Sequence, residues 1–125
     1  MSLVLDAGAL IALERNERSS WLRLNVSWNR GEVPRTNAAV LGQVWRGGPR
    51  QTSLSRALAG IDVRPLDETL GRAAGELLGA SGISDLIDAS IILTARDGDE
   101  IVTSDIEDLR PLAAAAGLHI ELVGP

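Results

Sequence analysis

Short β-favouring runs alternate with stretches of helical periodicity along the whole chain. Strands this short, each followed by a helix, pair best as parallel neighbours joined by helical crossovers, with helices covering both faces of the sheet. The expected fold is therefore α/β: a layered α/β/α sandwich around a short, mostly parallel central sheet. At 125 residues the chain suits a single domain spanning 1–125, and no linker or repeat interrupts it.

Residues 2–5 predict a first strand ended by Asp6, and residues 8–14 a first helix. Ser19 or Ser20 is placed to cap a second helix carrying Trp21, Leu24 and Trp28, which Arg30-Gly31 stops. Residues 32–34 read as a strand stub. Thr36 or Asn37 caps a third helix ended by Gly47-Gly48-Pro49, and residues 51–60 give a fourth. Residues 61–65 alternate as an edge strand would. Asp67 caps a helix running to about Ala80, and residues 84–95 form a helix apolar almost all round, hence buried. A strand over 100–103, a helix over 111–117 and a last strand over 119–123 complete the chain.

Composition removes several chemistries. Cysteine is absent, so disulfides, thiolate metal sites and cysteine nucleophiles are excluded. All 12 basic residues are arginine, which excludes Schiff-base and P-loop lysines. The single His119 cannot complete a triad or a histidine zinc site. No basic leader segment and no 18-residue apolar run occur, so the expectation is a soluble cytoplasmic protein without membrane contact. The net charge of −5 is unevenly spread: eight arginines face five acids over residues 1–62, and four face twelve over the remainder. The segment from Arg15 to Arg56 could meet phosphates, or simply solvate outer helix faces.

Ligands of open α/β sheets bind beyond the carboxyl ends of the strands. Two predicted strands end there in aspartate, at Asp6 and Asp105. Asp88 interrupts an apolar helix, where an unpaired carboxylate is costly and calls for a cation or an arginine. Asp85 lies one turn earlier, as a helix cap or an accessory acid. Each of Asp6 and Asp105 also has a structural reading, as a cap or turn residue. If Asp6, Asp88 and Asp105 converge, their repulsion requires a cation, and oxygen-only ligands favour Mg²⁺ or Mn²⁺. Receiver domains and haloacid-dehalogenase phosphatases need a lysine, and a dinucleotide fold needs G-x-G-x-x-G after the first strand. None is present. Metal-assisted phosphodiester hydrolysis remains.

Taken together, Leu-Val-Leu-Asp6, Asp85-Leu-Ile-Asp88-Ala and Ile-Val-Thr-Ser-Asp105 with Asp108 resemble the PIN domain, and within it the VapC-type ribonuclease toxins. The likeness covers nearly the whole chain. It implies an endoribonuclease dependent on Mg²⁺ or Mn²⁺, with Asp6, Asp88 and Asp105 as metal ligands and Asp85 and Asp108 as accessory acids. It also implies an RNA substrate, a small antitoxin partner and a homodimer. Two departures stand out. Where the family places a glutamate on the helix after the second strand, this chain has Gln43, which brings neither charge nor a basic oxygen. Glu14 is then a candidate for a substitute acid. Where the family carries a hydroxyl residue after the first aspartate, this chain has Ala7-Gly8-Ala9, leaving Thr103 and Ser104 to supply hydroxyls near the site. Gln43 favours the alternative function, a weak or inactive PIN-fold module that binds protein or RNA. Trp21, Trp28 and Trp45, the only aromatic residues, read as packing or as an apolar surface for a partner helix around Trp21 and Trp28.

Overall fold

The computed structural model describes all 125 residues. Strands β1 (Leu3–Leu5), β2 (Arg35–Asn37), β3 (Asp62–Arg64), β4 (Glu100–Val102) and β5 (Glu121–Val123) form one sheet in the order β3-β2-β1-β4-β5. Every neighbouring pair is parallel. The connections are the helices α1 (Ala7–Glu14), α2 (Arg18–Asn29), α3 (Ala38–Val44), α4 (Thr52–Leu58), α5 (Glu68–Ser81), α6 (Leu86–Thr94) and α7 (Ile106–Ala116). Around α1 gather α2, α3 and α4, while α5, α6 and α7 pack on one another. This is the layered α/β/α architecture expected from the alternation of elements.

β1 is the hydrophobic centre, with Leu3, Val4 and Leu5 all buried, as a strand covered on both faces must be. Leu10 and Leu13 of α1 and Ile91 and Ile92 of α6 are buried with it in one core. No single helix is long and apolar enough to cross a membrane.

Four expectations change. The second strand lies at Arg35–Asn37, not at 32–34. Its three side chains are polar yet buried, because each finds an internal partner. Arg35 pairs with Asp99, Thr36 Oγ1 donates to the Leu5 carbonyl at 2.7 Å, and Asn37 bonds to α6. The second helix starts at Arg18 behind Glu17, so neither Ser19 nor Ser20 caps it. α6 starts at Leu86 behind Asp85, so Asp88 falls in the first turn instead of mid-helix. α7 starts at Ile106 and carries Pro111 within it, where the expectation had Pro111 opening the helix. Proline removes one amide donor, tolerable here because Glu107, whose carbonyl loses that donor, is exposed to water.

Candidate functional site

β1 and β4 are adjacent and parallel, so the aspartates that follow them emerge together at the carboxyl edge of the sheet. Asp6 is buried at the start of α1, where its Oδ1 accepts the Ala7 N–H at 2.8 Å. Its Oδ2 accepts the Thr103 hydroxyl at 2.7 Å. Thr103 Oγ1 in turn accepts the Asp105 N–H at 2.9 Å, so one buried hydroxyl ties the two strand ends together. Asp105 occupies the N-cap position of α7 but makes no side-chain cap bond, which leaves its exposed carboxylate uncommitted. A carboxylate has about four lone-pair directions, so Asp6 also keeps acceptor capacity beyond its two bonds.

α6 brings the second pair. Asp85 caps it by accepting the Asp88 N–H at 2.9 Å. Asp88 is half-buried in the first turn, where the positive end of the helix offsets part of its charge. What holds α6 in place is a polar seam that the sequence reading did not single out. Asn37 is fully buried, and its Nδ2 donates to Ser90 Oγ and to Thr94 Oγ1, both at 3.1 Å. Its Oδ1 accepts the Val40 N–H at 2.9 Å, which caps α3. The available signal is Ser90 and Thr94, hydroxyls four residues apart on one stripe of an apolar helix.

These aspartates act on one another. Burial raises the Asp6 carboxyl above its ordinary 3.8, and Asp105 and Asp85 add to the rise, against the bonds from Thr103 and Ala7. Asp88 is pushed up to about 6, by burial first and then by Asp85, Asp6, Asp105 and Asp108. No arginine forms an ion pair with any of the five. As the side chains stand, no three acids converge closely enough to hold one ion between them. The donor set still suits a hard divalent cation, since it is all oxygen, carries excess negative charge and lacks an internal counter-ion.

Glu14, Arg35, Arg46, Trp21 and Trp28 are committed to other contacts. Glu14 ends α1, about 12 Å along the helix from the Asp6 end, and its Oε1 accepts from the buried Gln51 Nε2 at 2.6 Å. It is therefore not a substitute acid. The Gln43 side chain is exposed near the end of α3 and makes no hydrogen bond. Arg35 is withdrawn from the basic segment by its buried pair with Asp99. Arg46 folds back to donate to the Gly42, Gln43 and Trp45 carbonyls. Trp21 and Trp28 do not form an exposed apolar surface. They are half-buried and pack edge to face with centroids 6.4 Å apart, and their ring N–H groups donate to Leu13 and Gly60 carbonyls. Apolar exposure lies instead at Leu22 and Val26 of α2 and at Trp45, which lines a shallow groove with Ala38, Leu41 and Leu58.

No family profile matches the chain, and no curated protein matches it either. Solved structures do. The chain superposes on the crystal structure of VapBC2 from Rickettsia felis bound to a DNA fragment from its promoter, with a TM-score of 0.69 and 17% identity over 98% of both chains. It also superposes on FitAB bound to an IR36 DNA fragment, with a TM-score of 0.58 and 15% identity over 96% of this chain and 94% of that one. The fold is thus the PIN-like α/β/α fold of those neighbours.

Proposed function

We propose that this chain is a metal-dependent endoribonuclease and the toxin of a toxin–antitoxin pair. The observation that carries the reading is the uncompensated carboxylate cluster at the carboxyl edge. Asp6 and Asp88 are raised by burial and by the charge of their acidic neighbours, and no basic side chain relieves them. Gathering such charges costs free energy, and a hard divalent cation would offset that cost. Both structural neighbours are toxin–antitoxin complexes, which supports a small antitoxin as the partner.

In this reading Asp6, Asp88 and Asp105 would hold Mg²⁺ or Mn²⁺, with Asp85 and Asp108 as accessory acids. When bound, the ion supplies a nucleophile at neutral pH and neutralises charge on the phosphodiester. Thr103 fixes one Asp6 oxygen and the Asp105 backbone, so the Asp6 carboxylate and the Asp105 main chain keep a common position. The Asn37 seam fixes α6 and with it Asp88. Arg50 and Arg56, which form no ion pairs, are available to the RNA backbone. The site acts in the cytoplasm, on RNA, within a homodimer.

The purified chain, free of partner, is expected to cleave RNA with Mn²⁺ or Mg²⁺ and to stop on chelation. Asp6→Asn and Asp88→Asn should each abolish the cleavage. A second reading, a PIN-fold module that binds without cutting, draws on the neutral Gln43 and on the lack of a tight three-acid geometry. Intact RNA under both metals, at protein concentrations well above those that bind it, would establish that second reading.

A further inference from the structure

Ser104 stands between Thr103 and Asp105, two residues beyond the end of β4, with an exposed side chain whose hydroxyl makes no hydrogen bond inside the protein. Its position is set by what it rests on. A Cβ built at Gly8 would lie 3.0 Å from Ser104 Cβ and 3.2 Å from its backbone nitrogen, and would overlap its Oγ outright. Gly8 is the second residue of α1, two after Asp6. The hydroxyl of residue 104 therefore occupies the very space into which a side chain at residue 8 would project. Gly8 has a local need to be glycine, one unrelated to backbone conformation, because its φ is not positive.

Asp6 and Asp105 meet here through Thr103, and no arginine forms an ion pair with either. A phosphodiester approaching this acidic edge gains from every hydrogen-bond donor it meets there, a neutral hydroxyl included. Thr103 cannot serve, because its hydroxyl is buried and already donates to Asp6. The Ser104 hydroxyl is adjacent, exposed and uncommitted. We propose that Ser104 is a substrate-contacting residue that donates its hydroxyl to a phosphoryl oxygen of the bound RNA, reaching from β4 into the side-chain space vacated at Gly8. The proposal rests on the acidic edge being the RNA site.

The shared space makes the test reciprocal. Ser104→Gly is expected to lower kcat/KM for RNA about ten-fold or more, as loss of a hydrogen bond to a charged group does. Ser104→Thr should retain most of it. Gly8→Ser alone should lower the melting temperature, because two side chains then compete for one space. The double variant Gly8→Ser/Ser104→Gly returns a hydroxyl to that space from the other side and should recover cleavage to within a few-fold of the parent. The same four proteins carrying Asp88→Asn are titrated with a fluorescent oligoribonucleotide, so that affinity is read without cleavage. If no protein cuts RNA, the nuclease reading fails while the affinity series still reports on Ser104. Unchanged kcat/KM and affinity in Ser104→Gly overturns the proposal. A double variant that melts like the parent but binds and cuts no better than Ser104→Gly overturns it as well.

Discussion

Asp88 titrates near pH 6 because a half-buried carboxylate in the first turn of α6 feels Asp85, Asp6, Asp105 and Asp108. In the unfolded chain the same group titrates at its ordinary 3.8, so between those values the folded protein binds the extra proton. Stability must then fall as pH rises through that window, with the full cost present above about 6. Asp6 is shifted in the same direction and adds to the slope. After allowance for solvent screening the Asp88 share is on the order of 1 kcal/mol, or about 4 °C in melting temperature. In chelator, the protein is expected to melt higher at pH 5 than at pH 7.5. Asp88→Asn should remove most of that difference by raising the value at pH 7.5. A lower melting temperature for Asp88→Asn at both pH values would make Asp88 a structural residue instead. Gln43 offers the opposite test. If its exposed amide reaches the same edge, Gln43→Glu adds an anionic ligand, and Mg²⁺ affinity, followed by titration calorimetry, should rise together with cleavage at limiting Mg²⁺. Unchanged affinity and cleavage would place residue 43 away from the ions. The acids were legible in the sequence because a carboxylate is conspicuous at a strand end or among Ile and Leu. The Glu14 alternative was not testable there, since its bond to Gln51 joins residues 37 apart.

Among the elements, β2 and α6 depend on each other through Asn37. Its amide serves as helix cap for α3 and as cross-link to Ser90 and Thr94, all without access to water. Asn37→Ala removes the cap bond and leaves the Val40 N–H buried without a partner, a loss of about 2 kcal/mol by the usual cost of such groups. Urea unfolding should show a lower midpoint at unchanged slope, and cleavage should fall further than stability does because α6 carries Asp88. If stability falls and kcat/KM does not, the seam holds the fold without positioning the site. The same seam explains which elements the sequence revealed. β1, β4 and α6 announce themselves by apolar runs, since their burial is hydrophobic. β2 is Arg-Thr-Asn, which reads only as the lead into a helix cap at Thr36 or Asn37, and it is a strand because three long-range partners satisfy its side chains. The start of α7 was hidden by Pro111, whose place inside the helix is permitted by the exposure of that side of the turn. Local pattern reports local burial, and both misplacements occur where long-range contact or solvent decides.

For the whole molecule, the layered fold follows from alternation alone, and the charge asymmetry of the sequence survives folding only in part. Arg35 is buried against Asp99, Arg46 caps its own helix, and Arg23 Nη1 donates to the Gly124 carbonyl, so the basic half presents fewer free guanidinium groups than its composition promised. The exposed apolar surface likewise departs from the expectation. Trp21 and Trp28 turn inward, and the apolar surface left outside includes the groove of Ala38, Leu41, Trp45 and Leu58 between α3 and α4. Trp45 stays 41% exposed there, which is a large aromatic surface to leave in water unless a partner covers it. On the proposed toxin reading, the chain should arrest growth when produced alone, and co-production of a cognate antitoxin should restore growth. If the antitoxin covers the groove, Trp45→Asp should weaken the pair at least ten-fold, since central aromatic anchors carry a disproportionate share of interface energy. The variant should melt as the parent does and still cleave RNA, because Trp45 is already solvent-exposed and none of the aspartates lines its groove. In cells that combination predicts arrest that the antitoxin no longer relieves. Rescue as complete as that of the parent would move the interface to another face, with Leu22 and Val26 on α2 the next exposed apolar pair to substitute.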